Sequence, residues 1–201
     1  MRAVLRSVAA VVLWSALLAA LAQDAYFPEK AFSDDPWSNR FTTDWYSHEL
    51  RILEEPSLVK QAGNPPSESY RFLWLRTFRH PVAVRVDLGL DGTGVVTIKV
   101  ADGEAGFPRS SAHLVENVSR PLLREQAKAF LTQIRRVNFW SIGSVANQHG
   151  LDGAEWIVEG VRHDKYHVVQ QWSPDKGPIH DLGLMFVLGM AQMNVPKDQI
   201  Y

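Results

Sequence analysis

Two histidines, His163 and His167, have a spacing that could place them on one face of a strand. They are four residues apart, and Glu159 precedes His163 by the same interval. Alternate residues of a strand share a face, so residues at i and i+4 point the same way. Imidazole and carboxylate groups bind zinc and serve as general acids and bases. The spacing raises the hypothesis of a hydrolase or metal-dependent enzyme that uses the His163/His167 region.

The same histidines fall short of a complete metal site. A transition metal needs three or four ligands around one centre. His163 lies in a predicted turn at 162–165 and need not converge with His167. His180 and Asp181 could add ligands, but two prolines separate them from the histidine pair. We therefore expect a polar turn beside a strand histidine, with no metal, no cofactor and no catalytic residue.

A second set of charged residues lies on the predicted strands and could grip an anionic ligand. Such residues could equally form cross-strand ion pairs on a solvated sheet face, where each pair contributes little stability. We expect the solvated face. The charged set consists of Arg71, Arg76, Arg85, Lys99, Glu155 and Glu159. The candidate binding residues from both groups are Arg76, Arg85, Glu159, His163 and His167.

Two smaller groups are expected to be structural. Glu54 and Glu55 adjoin at a predicted helix end, where we expect both carboxylates to be exposed and without a partner. Trp156, Tyr166 and Trp172 could line a ligand groove. A domain without disulfides needs aromatic side chains in its core, so we expect these three to pack there.

Composition and motifs exclude several classes of function. The chain has no cysteine, which rules out thiol catalysis, cysteine-ligated zinc and disulfides. It carries 21 Lys and Arg against 22 Asp and Glu, with no basic run. We therefore expect no nucleic-acid partner and no binding to an anionic membrane surface. Phosphate-binding loops, nucleophile elbows and zincin signatures do not occur in the sequence.

The first 22 residues are typical of a secretory signal peptide. Arg2 and Arg6 form a basic start, an apolar run follows, and the segment closes on Ala20-Leu21-Ala22. The run is shorter than the roughly 20 apolar residues that a spanning helix needs. The sequence therefore predicts a periplasmic or extracellular protein without a membrane span after cleavage.

The remaining pattern predicts an α+β fold, a two-layer sandwich with about five mainly antiparallel strands. We divide the chain into a signal peptide (1–22), an N-terminal arm and helix (23–66) and a single α+β domain (67–201). The predicted order is α-βββ-α-ββ-α. Aromatic residues of an irregular arm at 24–41 are expected to dock on the domain, namely Tyr26, Phe27, Phe32 and Trp37. The predicted helices begin at 42–44, at 119–121 and at 179, and the predicted strands are 70–78, 82–90, 95–100, 154–161 and 166–172.

The first predicted hairpin has a register that its apolar residues constrain. The even-numbered residues of 82–90 and 95–100 are apolar, and directly opposed residues share a face. A three-residue loop, Asp91-Gly92-Thr93, would pair Leu88 with Val96 and Val86 with Ile98. We expect Gly92 or a neighbour to be left-handed. Residues 101–118 are predicted to form a loop.

Three stretches resemble a group of uncharacterised exported bacterial proteins. They are residues 68–78 (ESYRFLWLRTF), 151–160 (LDGAEWIVEG) and 166–174 (YHVVQQWSP). The resemblance covers about residues 43 to 180 and implies a recurring bacterial domain behind a bacterial leader. It carries no known activity and transfers no functional residue. With no catalytic motif, we expect a non-catalytic envelope or secreted protein that binds another protein or a small ligand.

We predict cleavage after Ala22, because the small-x-small exit follows an apolar run too short to anchor the chain. Protein purified from the producing cell should begin with Gln23-Asp24-Ala25 when its N-terminus is sequenced. A membrane-embedded chain that retains Met1 would contradict the prediction.

Overall fold

The computed structural model describes residues 25–62, 68–105, 112–143, 150, 152–196 and 199–201, so the predicted leader lies outside them. No helix in these ranges is long and apolar enough to cross a membrane. The α-helices are α1 (Pro36–Ile52), α2 (Leu58–Gln61), α3 (Arg124–Arg136) and α4 (Pro178–Leu184). The strands are β1 (Glu68–Arg76), β2 (Val82–Leu88), β3 (Gly94–Ala101), β4 (Leu114–Leu122), β5 (Ala154–Arg162) and β6 (Lys165–Trp172). A 3-10 turn spans Phe139–Ser141, and a π-helix, Met185–Met190, continues α4.

The strands form one antiparallel sheet in the order β4-β3-β2-β1-β5-β6. The α+β class is confirmed, but the described residues contain six strands instead of about five. The extra strand is β4, which occupies residues predicted as a loop and as the start of a helix. An edge strand with solvent-exposed residues has no clear apolar alternation, and it tolerates Pro121 because alternate N–H groups point away from the neighbouring strand. Helix α3 accordingly begins later than predicted, at Arg124.

Both faces of the sheet are covered, so the sheet lies between two layers and the predicted two-layer sandwich is wrong. On one face, which we call the α3 face, even-numbered residues of β1, β2 and β5 pack against α3, α4 and the π-helix. On the opposite face, the α1 face, odd-numbered residues of the same strands pack against α1 and the N-terminal arm. Residues of β1 are buried on both sides, as expected for a strand between two layers. The arm and α1 therefore share a core with the sheet.

Helix α1 begins earlier than predicted, because Asp35 and Pro36 provide its start. Asp35 accepts a hydrogen bond from the Ser38 backbone N–H at 2.8 Å, and Pro36 occupies the first turn. Phe27 and Phe32 of the arm are buried. Trp37 does not dock as expected; it lies on the outer side of α1 and is 75% exposed.

The predicted hairpins form, with one change of register. Leu88 lies opposite Gly94 and Val86 opposite Val96, which is two residues from the predicted pairing but keeps the apolar faces together. Gly92 is left-handed with φ 79°, as expected. In the second hairpin, Arg162 pairs with Lys165, and His163 has φ 55° in the turn between them.

Phe130 connects α3 to the core of the α3 face, where its ring lies 5.4 Å from that of Tyr70 and 5.2 Å from that of Phe186. Replacing this buried ring by Phe130→Ala should cost about 3–5 kcal/mol of unfolding free energy, because it removes apolar contacts and leaves a cavity. Urea unfolding measures the loss. Lys128→Ala, on the exposed side of the same helix, is the control, and equal midpoints for the two variants would refute this packing.

Candidate functional site

The two candidate histidines are held apart from a shared centre. His163 is exposed in the turn between β5 and β6. His167 pairs with Gly160, which places its side chain on the α3 face. There its ring lies 5.0 Å from the ring of Phe139 and 6.2 Å from that of Trp140. Burial lowers the pKa of His167, so this imidazole favours the neutral form in an aromatic setting.

The other members of the proposed histidine group do not join it. Glu159 lies on the α1 face, whereas His167 lies on the α3 face. His180 stacks on Trp156 with ring centroids 5.9 Å apart, and its Nδ1 is 3.7 Å from Asp181 Oδ1. Within the part of the chain that the structure describes, no three His, Asp or Glu side chains could hold a metal ion.

The charged residues of the α1 face form a buried network, so the expectation of a solvated face is wrong. Three cations from three neighbouring strands meet the carboxylate of Glu55. Arg71 Nη1 is 3.4 Å and Arg85 Nε 2.9 Å from Glu55 Oε2, and Lys99 Nζ is 3.3 Å from Oε1. Arg85 also pairs with Asp87. We expected Glu55 to be exposed without a partner; instead it is buried at the centre of the network.

A second carboxylate, Glu159, completes the pairing of Arg71. Arg71 donates to Glu159 Oε2 from Nε at 2.8 Å and from Nη2 at 2.5 Å, and Tyr166 Oη donates to Oε1 at 2.7 Å. Burial raises the pKa of Glu159, and Arg71 opposes that rise. Burial alone would lower the pKa of Arg71, but Glu159 and Glu55 outweigh it and raise that pKa. The pair is therefore held in its charged form by mutual attraction.

The network also fixes the main chain between α1 and α2. Lys99 Nζ donates to the Glu54 carbonyl at 2.7 Å, and Arg71 Nη1 donates to the Pro56 carbonyl at 2.7 Å. The Tyr26 hydroxyl donates to the Glu55 carbonyl at 2.9 Å. These bonds fasten the arm and α1 to the sheet, and they leave Arg71 and Glu55 enclosed. The network connects α1 to the sheet, and Arg71 is fully buried in the part of the chain that the structure describes.

Arg76 stands apart from this network, on the α3 face. Arg76 is 7% exposed, and its guanidinium carbon lies 3.8 Å from the ring centroid of Trp74. Nη1 donates to the Gln199 carbonyl at 3.3 Å, whereas Nε has no acceptor among the described residues. Burial lowers the pKa of Arg76, an effect that Tyr201 opposes and the like charge of Arg79 reinforces. No described carboxylate forms an ion pair with Arg76.

Two buried tryptophans extend the set of donors beside Arg76. Trp74 and Trp156 are paired across β1 and β5, with ring centroids 5.8 Å apart. Both indole N–H groups donate to the main-chain oxygen of Tyr201, at 3.2 Å from Trp74 and 2.7 Å from Trp156. Gly183 lets α4 press against Trp156, since a Cβ there would lie 2.0 Å from the ring. The packing therefore holds the indole donors in place.

A cavity of about 340 Å³ adjoins this group at the end of the sheet. Two residues of its rim have a positive φ, Phe78 at 61° and Ser173 at 36°. Phe78 is also 69% exposed. Strained backbone and exposed aromatic surface concentrate at binding sites. The lining residues are Thr77, Phe78, Asp152, Gly153, Ser173 and Tyr201. We call the cavity, together with Arg76, Trp74 and Trp156, the Arg76 site.

The sequence identified Arg76 as a candidate but grouped it with charged residues that lie on the opposite face of the sheet. Arg76 is even-numbered on β1 and Arg71 is odd-numbered, so alternation alone separates their faces. Tyr166 and Trp172, which the sequence predicts in the core, are half-buried. Trp156 is buried as expected, and Trp74 is buried beside it. The sequence carries no signal that their indole N–H groups meet at Tyr201, which is far away in the chain.

Glu55→Gln should lower the unfolding free energy by about 3–5 kcal/mol, because it leaves buried cations without their shared carboxylate. Urea unfolding of purified variants gives the change in midpoint. Glu54→Gln removes the neighbouring exposed carboxylate and should shift the midpoint little. Equal shifts for the two variants would show that Glu55 does not anchor the network.

Comparison of the chain with known protein families and with curated proteins finds no match in either. The resemblance to uncharacterised exported bacterial proteins therefore stays a prediction.

Proposed function

We propose that the protein is an exported, non-catalytic binding protein, and that the Arg76 site binds an anionic oxygen group. The observation that carries the proposal is a buried guanidinium without a carboxylate partner among the described residues, beside two indole N–H groups that meet at one oxygen. A buried charge without a counter-charge costs several kcal/mol. An anion bound beside Arg76 would offset that cost.

The chemistry of the donors favours binding over catalysis. Arginine remains protonated in proteins, and an indole N–H is a donor only. Arg76, Trp74 and Trp156 can therefore hold a negatively charged oxygen, but none of them takes up a proton near neutral pH. The alternative centre at His163 and His167 has no comparable convergence, since the first is exposed in a turn and the second packs among aromatic rings.

The leader-like sequence at 1–22 supports export. An exported protein would meet its ligand in the periplasm or outside the cell. A ligand of such a protein is a small molecule or another protein of that compartment. The balanced charge of the chain favours neither nucleic acid nor an anionic membrane surface as the partner.

Acetate tests the proposal, with acetamide as its neutral match at constant ionic strength. Acetate should raise the thermal midpoint of the protein more than acetamide does, because a ligand that binds only the folded state stabilises it. For a domain of this size each 1 kcal/mol corresponds to about 2–4 °C.

Arg76→Gln should abolish the difference between acetate and acetamide. Arg79→Gln, which removes a neighbouring exposed cation, should keep it. If acetate protects Arg76→Gln as well as the unaltered protein, the anion does not bind at Arg76 and the proposal fails.

A further inference from the structure

The segment Gln199–Tyr201 of the same chain occupies the Arg76 site. Gln199 supplies a main-chain oxygen to Arg76, and Tyr201 supplies a main-chain oxygen to Trp74 and Trp156. The Tyr201 hydroxyl donates to the Thr77 carbonyl at 3.4 Å. Each contact uses a group that other peptides also possess, namely a main-chain oxygen or a tyrosine hydroxyl.

We infer that the Arg76 site recognises a peptide carboxylate that follows an aromatic residue, and that the segment Gln199–Tyr201 holds the place of such a ligand. The inference rests on the proposed function, because it assigns the ligand class of the same site. Carbonyl oxygens satisfy hydrogen bonds, but Arg76 Nε remains without an acceptor among the described residues. A carboxylate has two oxygens and a full charge, which match a guanidinium better than a carbonyl does.

The electrostatics of Arg76 favour an acidic ligand. Burial lowers the pKa of Arg76, and Tyr201 is the group that acts in the opposite direction. A carboxylate beside Arg76 would likewise stabilise the charged guanidinium. A neutral amide there would fill the same space and leave Arg76 uncompensated, so the site should distinguish an acid from its amide.

The cavity accounts for the aromatic part of the ligand. Tyr201 lines the cavity together with Phe78, whose exposed ring lies at the rim. The Thr77 carbonyl accepts the phenol hydroxyl, so tyrosine gains a hydrogen bond that phenylalanine lacks. The indole donors and the cavity both contact Tyr201, so they would contact a single residue of a peptide ligand together.

Occupation by the chain's own segment means that an external peptide has to compete. An intramolecular ligand acts at an effective concentration of about millimolar for a short connection. The apparent affinity for an external ligand falls by the fraction of molecules in which the site is open. Loosening the resident segment should therefore strengthen binding of the external peptide end without any change in the donors.

The test uses the full-length chain, unaltered and as Tyr201→Gly, which removes the resident ring and hydroxyl. The probes are N-acetyl-tyrosine and its neutral match N-acetyl-tyrosinamide, and the readout is the NMR signal of the Trp74 and Trp156 indole N–H groups. In Tyr201→Gly we expect the acid to shift both signals with an affinity at least tenfold above that of the amide. The unaltered chain should bind the acid more weakly than Tyr201→Gly does.

Arg76→Gln combined with Tyr201→Gly should bind the acid and the amide alike. Equal binding of acid and amide by Tyr201→Gly, or unmoved indole signals at high acid concentration, would overturn the inference.

The unaltered chain gives a second measurement should Tyr201→Gly fold poorly. Acid in excess must displace the resident segment and shift both indole signals, whereas the amide must leave them unchanged. If acetate still protects the protein through Arg76 while the tyrosine probes fail, the peptide assignment is wrong and anion binding stands.

Discussion

The structure depends on the carboxylate of Glu55, which three cations from neighbouring strands approach on the α1 face. Burying Arg71 or Lys99 without an anion would cost several kcal/mol. The sheet can therefore keep this face closed only when the chain after α1 delivers Glu55 to it. That requirement positions α1 and the arm, whose aromatic residues then complete the second core. Docking of the N-terminal segment therefore depends on the charge of Glu55 as well as on the burial of apolar side chains.

Strand β1 carries two buried arginines whose charges are compensated in different ways. Arg71 and Arg76 both lie on β1 and are both buried, but they face different layers. Two carboxylates surround Arg71, whereas Arg76 has an aromatic ring, a backbone carbonyl and the end of the described chain. Desolvation acts on both side chains, so the difference lies in compensation. A buried cation without an Asp or Glu partner among the described residues is a more informative feature than a cation that two carboxylates already neutralise.

Alternation in the sequence predicted much of the sheet, because each central strand is apolar on at least one face. It also separated Arg76 from Arg71 by parity, although both were assigned to one charged set. Two features could not be read from the sequence. Strand β4 lies at an edge with few buried residues, so its pattern carries little apolar periodicity. The role of Glu55 depends on contacts with strands that follow it by tens of residues, and a carboxylate at a helix end looks the same whether exposed or buried.

The Arg76 site draws its rigidity from the core beneath it. Trp74 and Trp156 are fully buried, and Gly183 allows α4 to close against Trp156. Their indole N–H groups are therefore oriented by packing before any ligand arrives, which lowers the entropy lost on binding. The resident segment, by contrast, is held by a few hydrogen bonds at the end of the sheet. This arrangement would suit the binding function proposed for the Arg76 site, because a ligand could exchange with the resident segment while the indole donors stay in place.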